Sequence, residues 1–174
     1  VTELTWAAQG GPERATLRLF GPLEKLLDLT KLLRCPATVC DDHFEPVWWG
    51  FVSKITLYFE GVKFSVDINQ LYNHVTVAYT ELALPGTPAA TLTSTAAEDK
   101  PSQAIYGTKQ VILQRQGVDA TYANQLAETT LAESAWPTSI LSQNTLASSP
   151  MAVLTCSGWF ETLGWSNFTT PYGF

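Results

Sequence analysis

Charge is what this sequence has least of. Asp, Glu, Lys and Arg together make up 15% of its 174 residues, well short of the roughly 25% usual in a globular chain. Cations are scarcer still: 10 Lys and Arg stand against 16 Asp and Glu, a net charge of −6. A nucleic-acid reader needs clustered positive charge to displace counterions from phosphates, so nucleic acid is excluded as the main partner. Sulfur and imidazole are equally thin, with three cysteines (Cys35, Cys40, Cys156), one methionine and two histidines. A disulfide scaffold of this size would carry more cysteines, and in an even number. Reduced thiols in a chain made in the cytoplasm are the expectation. No apolar run approaches the about 18 residues of a membrane span, and no cationic-then-apolar leader opens the chain.

Recognisable chemistry is missing too. There is no phosphate-cradling glycine loop, no Gly-x-Gly-x-x-Gly, no His-Glu-x-x-His and no Gly-x-Ser-x-Gly. One cluster has metal-ligand residue types: Cys35 and Cys40 with His43 and Asp41 or Asp42. Zinc asks for about four ligands in a tetrahedron, and a second pair would have to come from distant Cys156 or His74. Small apolar cysteines on a strand are the better reading. A thiol nucleophile would pair Cys156 with His74, or Cys40 with His43, and neither cysteine is flanked like a nucleophile. The doublets Asp41-Asp42 and Glu98-Asp99 are adjacent, so on a strand their side chains would diverge; they read as solvated loop charges. Asn167-Phe168-Thr169 matches the glycosylation triplet by accident. No catalytic residue, no cofactor and no metal is therefore expected.

What the chain does have is apolar residues, at 45%, and six tryptophans: Trp6, Trp48, Trp49, Trp136, Trp159 and Trp165. That excludes intrinsic disorder. Tryptophan is commonest in cores, on sugar platforms and in protein interfaces. The patterning predicts an α+β fold, mainly β, in two lobes with a few short helices. Glu3–Ala7 and Ala15–Leu19 alternate about a glycine turn and predict a pair of strands. Gly21-Pro22 opens a short amphipathic helix, proline at its first position, with Leu23, Leu26, Leu27 and Leu33 on one stripe. Ile55, Leu57 and Phe59 alternate with Lys54, Thr56 and Tyr58; Val62, Phe64, Val66 and Ile68 return after Glu60-Gly61. That is a tight hairpin, expected to bury Ile55, Leu57, Phe59, Phe64 and Val66 as the core of the first lobe. A helical turn near 69–73 then leads into a strand at Val75–Tyr79. From Leu82 to Pro101 the composition turns to Pro, Thr, Ser and Ala, a loop or linker. It sets the expected domains at 1–81, 82–101 and 102–174. Beyond it come a turn at Ile105–Gly107, a strand at Gln110–Gln114 and a helix capped by Asp119 that ends at Trp136-Pro137. A last strand is expected at Met151–Cys156.

Trp48 and Trp49 must face opposite sides of a strand, so one can enter the core while the other reaches the surface. The ordered set of the helix after Leu19-Phe20-Gly21-Pro22, Pro46-Val47-Trp48-Trp49-Gly50-Phe51-Val52, the hairpin, Asp67 to Asn73, Val75 to Tyr79, Ile105-Tyr106-Gly107, the helix over 120–135 closed by Trp136-Pro137, and Gly158-Trp159-Phe160-Glu161-Thr162-Leu163-Gly164-Trp165 resembles tail proteins of bacteriophages and prophages. The likeness is to the baseplate-hub, late-control-D-like group, and it covers about residues 14–165. The resemblance implies two small β-barrel-like or sandwich lobes with a few short helices, in a virion protein of the tail, made in the host bacterial cytoplasm, that assembles as a ring, commonly a trimer, with other tail or baseplate proteins. Members of that group usually run longer than this chain. Low charge and spare tryptophans suit subunit burial, since interface cores are poor in charge and rich in aromatics. The expected interface residues are Trp48, Trp49, Leu82, Pro85 and Pro88. A carbohydrate-binding module with tryptophans as the sugar platform is the alternative.

Overall fold

The computed structural model describes residues 3–7, 11–82, 90–143 and 149–165. Its architecture is α+β, mainly β, with two sheets; neither closes into a barrel among the described residues. The chain divides into two compact units: residues 1–70 with 137–164, and residues 71–136 with 165–174.

The first unit is built on one antiparallel sheet. Its strands are β1 (Glu3–Ala7), β2 (Gly11–Phe20), β3 (Pro36–Cys40), β4 (Pro46–Phe59), β5 (Val62–Asp67), β10 (Thr138–Gln143) and β11 (Met151–Gly158). They lie in the order β1-β2-β11-β4-β5-β10, with β3 paired to the first half of β4. Glu60 and Gly61 turn β4 into β5 with φ of 44° and 76°, the doubly positive backbone of a type I′ hairpin. Phe59 pairs with Val62 across that turn, as the alternation predicts.

β4 runs for 14 residues because a bulge joins two runs that are separate in the sequence pattern. Cys156 pairs with Val52 and Thr155 with Lys54, so Ser53 is the extra residue. The bulge resets the alternation. Val52 and Ile55, three apart, therefore share a face with Trp48 and Leu57. Following the registers outward, that face gathers Ala15 and Leu17 from β2, Ala152, Leu154 and Cys156 from β11, and Phe64 and Val66 from β5. α1 (Leu23–Asp28) lies against β4 and β11 and buries Leu26. The opposite face carries Arg14, Thr16, Lys54, Thr56, Thr155 and Ser157, and by the same registers Phe51. It is mostly polar in composition but largely covered: Phe51, Thr56 and Ser157 are buried and Arg14 is exposed.

Three expectations shift here. Ile55 and Leu57 are fully buried, but Phe59, Phe64 and Val66 are only half-buried, while Thr56 and Ser65 are buried on the polar side. The hairpin is flanked on both edges, by β11 on β4 and by β10 on β5, so alternation alone under-reports what is covered. Pro22 sits at the N-cap rather than inside the helix, and the helix shortens to α1 plus a 3-10 turn over Leu29–Leu32. Residues 69–70 form a plain turn and no helical one.

The second unit centres on β6 (His74–Thr80). β7 (Thr91–Thr93) and β8 (Ala97–Glu98) pair antiparallel along one edge. β9 (Gln110–Gln116) pairs parallel along the other. α2 (Lys100–Tyr106) precedes β9, and α3 (Ala120–Ser134) packs on β6. Asp119 caps α3, its carboxylate accepting from the Tyr122 N–H at 2.7 Å, as read from sequence. Val75, Val77 and Tyr79 face Ala123 and Ala127, with Leu126 and Leu131 packed alongside. Small residues at i and i+4 let the helix approach the sheet closely.

Two boundaries are therefore corrected. The stretch 82–101 is not wholly loop, since β7 and β8 lie in it. It does not separate lobes either: β6 and β9 pair along their whole length across it, and β10 and β11 return to the first sheet. Residues 105–106, expected as a turn, finish α2, and Gly107 ends it at φ 80°.

The second unit is tied at its start by one buried amide. Asn73 is fully buried. Its Nδ2 donates to the Gly107 carbonyl at 2.8 Å and to Ser102 Oγ at 3.2 Å, and its Oδ1 accepts from the Lys109 N–H at 2.8 Å. Its own carbonyl accepts from Gln103 Nε2 and the Asp99 N–H. One side chain thus fixes the entry of β6, the end of α2 and the entry of β9.

Candidate functional site

The expected interface residues fall in different places. Trp48 is fully buried on the packed face of β4, while Trp49 is 47% exposed. The in-and-out split holds, and Trp48 leaves the list of surface residues, because a side chain covered by its own subunit cannot meet a neighbour. Leu82 is 86% exposed and lies by Gly117, Val118 and Asp119 around a hollow of about 390 Å³. Pro85 and Pro88 lie outside the described residues.

Sequence reasoning missed Arg34. It sits at φ 69° directly before Cys35, and its N–H donates to the Val52 carbonyl at 2.8 Å. Its guanidinium carbon lies 4.3 Å from the Phe51 ring centre and 4.7 Å from that of Trp159. The two rings are themselves 5.2 Å apart. Burial pulls the Arg34 pKa below its ordinary value, with Glu161 opposing that shift. Arginine still carries its charge at any physiological pH, so the site is a cation held against two aromatic faces. This clamp holds Trp159, which opens the 3-10 segment Trp159–Trp165, against β4. Trp159, Phe160 and Leu163 then project around a shallow apolar hollow of about 180 Å³.

A second, polar cleft of about 270 Å³ opens on the opposite face of the sheet, over the bulge, lined by Glu13, Arg14, Ser53, Asn69, Thr155, Ser157 and Glu161. Ser157 Oγ donates to Ser53 Oγ at 2.9 Å, and Ser53 Oγ donates to the Thr155 carbonyl at 3.1 Å. Both hydroxyl protons are committed to protein acceptors. No imidazole lines the cleft; its titratable groups are Glu13, Arg14 and Glu161.

The candidate metal and thiol residues are used elsewhere. Asp41 Oδ1 accepts from the His43 and Glu45 N–H groups at 2.9 and 3.0 Å, an Asx-type turn that closes β3 onto β4. Among the described residues no three His, Cys, Asp or Glu groups are arranged to hold a metal. His74 Nδ1 lies 2.9 Å from Glu98 Oε1. Lys100, hydrogen-bonded to the same carboxylate, and then His74 hold Glu98 below the ordinary carboxylate range.

Cys156 is buried in β11, and burial pushes its thiol up to about 11. Almost no thiolate exists there at neutral pH, the reverse of a nucleophile's requirement. Exposed Cys40 should react with a thiol reagent in the native protein, whereas Cys156 should react only after unfolding; fast labelling of both would contradict this burial. The raised pKa also has a sign. From pH about 9 the unfolded chain loses this proton while the folded one keeps it. Stability should therefore fall between pH 9 and about 11, and Cys156→Ala should flatten that fall.

No helix among the described residues is long and apolar enough to cross a membrane. No protein-family model, curated protein or solved structure matches the chain.

Proposed function

We propose that this chain is a non-catalytic structural component of a phage or phage-like tail, a subunit of a baseplate-hub or tail-tip ring in the virion. The observation that carries the reading is the surface of the first unit. Trp49, Trp159, Phe160 and Leu163 stand exposed there on a chain with only 15% charged residues. Exposed apolar area of this kind marks contact surfaces. The groups that could do chemistry are spent on turns, ion pairs and the core. The order of motifs over residues 14–165 supplies the tail context by resemblance, and a ring gives every subunit the same heterologous contact.

An image of an assembled tail particle carrying this chain tests the reading. The expected result is a ring with Trp49 and the Trp159–Leu163 segment covered by neighbours. A particle in which those side chains face bulk solvent overturns the interface assignment. Carbohydrate binding through the exposed tryptophans is the competing outcome: a glycan-array signal lost on Trp49→Ala or Trp159→Ala would favour it.

A further inference from the structure

Three strands of the first unit's sheet have outer edges that pair with nothing among the described residues: β1 at one side, and at the other β10 and the short β3, which flanks only the first half of β4 and opens with Pro36. Open edges with unpaired N–H and C=O groups are templates for another strand, and proteins blunt them with charge, proline or a bulge. β10 has none of these. Its sequence is Thr138-Ser139-Ile140-Leu141-Ser142-Gln143 and all six residues are exposed, Leu141 at 71%. β1 is Glu3-Leu4-Thr5-Trp6-Ala7, with Trp6 51% exposed. The irregularity beside it places the extra residue, Glu13, on β2, so β1 itself is unbroken.

We infer that β10 of one copy pairs antiparallel with β1 of the next, so that the sheet continues from subunit to subunit. The inference rests on the self-association proposed above and names its surface. Parity carries it. Every neighbouring pair along β1-β2-β11-β4-β5-β10 is antiparallel, and six strands in strict alternation leave β1 and β10 running opposite ways. A second copy placed beside the first in the same orientation therefore meets it antiparallel, with no parallel junction.

The faces match as well. Leu4 pairs with Ala15, and Leu141 with Phe64, so Leu4, Trp6 and Leu141 all belong to the apolar face. The register that overlaps the strands most while keeping the faces continuous sets Leu141 opposite Leu4, Ser139 opposite Trp6 and Ile140 opposite Thr5. It covers the exposed apolar side chains of both edges at once. A two-fold pairing of β10 with β10 would leave both β1 edges, and Trp6, uncovered. The contact is heterologous, so its repetition closes a ring or grows a filament.

The test uses the full chain with Cys40→Ser as background. Thr5→Cys is combined with Ile140→Cys, or with Ser142→Cys for the next register that keeps the faces, and each single variant is carried beside the pairs. Oxidation should give cross-linked chains longer than dimers in one of the double variants and none in the singles. Sedimentation should show the uncross-linked background chain associating, and Leu141→Lys should weaken that association by about tenfold or more. A dimer formed by a single β10 cysteine means two-fold pairing and overturns the inference. Association that neither cross-links in the doubles nor responds to Leu141→Lys overturns it too, while leaving self-association standing. A chain that stays monomeric at about 100 µM, enough to populate a weak contact, overturns both.

Discussion

Asn73→Ala should lower the stability of the second unit by about 3–5 kcal/mol, the sum expected when several buried partners are orphaned together. The Gly107 carbonyl loses its 2.8 Å donor and the Lys109 N–H its 2.8 Å acceptor, and water has no ready access because Asn73 is fully buried. Alanine replaces none of these bonds. Asn73→Asp keeps the acceptor for Lys109 and should fall between the two in a chemical denaturation series. Hydrogen exchange gives the local readout: the Lys109 amide should lose its protection first. A variant melting within a degree or two of the parent would show that the network contributes little.

The second large effect belongs to the first unit, at Gly158→Ala. A methyl built on Gly158 would lie 1.7 Å from the Pro12 oxygen and 2.7 Å from its carbonyl carbon. Both are backbone atoms, so no side-chain rotation relieves the clash and β2 itself must move. Overpacking of this kind costs about 3 kcal/mol or more where the backbone has to yield. Gly50, its partner across β4 and β11, is similarly constrained, by the Ser157 carbonyl and the Trp48 ring. Gly21→Ala is the control, since nothing lies within 4 Å of the added methyl, and it should change stability by less than about 1 kcal/mol. A Gly158→Ala protein as stable as the Gly21→Ala one would refute the close approach of β2.

Local signals were legible and connectivity was not. Glu60-Gly61 announces its hairpin because only a doubly positive backbone fits the twist of the flanking strands. Asp119 and Pro137 bracket α3 through capping and the restriction that proline places on the residue before it. Trp48 and Trp49 reveal their split because strand side chains alternate. The β4 bulge hides from the same logic: it shifts phase at Ser53, so a continuous strand reads as two. β10 has Ile140 beside Leu141 and no alternation at all, which is why an exposed edge strand left no period-2 trace. The parallel pairing of β6 with β9 and the insertion of β11 between β2 and β4 depend on residues far apart, and a composition shift at 82–101 could not reveal them. For the candidate site, the sequence singled out Trp48 and Trp49, of which Trp48 is buried and Trp49 exposed, while Arg34 looked like any surface cation. Its role comes from Phe51 and Trp159, two segments more than a hundred residues apart in sequence.

The position of β11 also orders events during synthesis. β2 and β4 do not adjoin in the path of the first sheet; β11, residues 151–158, lies between them. Until a ribosome has delivered those residues, the edges of β2 and β4 that face each other across β11 have no partner, and the first half of the chain holds an unfinished sheet. The apolar cluster between β6 and α3 in the second unit comes from one stretch, residues 72–131, with Trp165 the one described buried residue the unit takes from later in the chain. It can condense while the first still waits. Closing the first sheet then means bridging more than ninety residues between β4 and β11, but a folded insert shortens the effective loop and lowers the entropy of that closure. A strand made late thus completes a sheet whose other strands were made well before it.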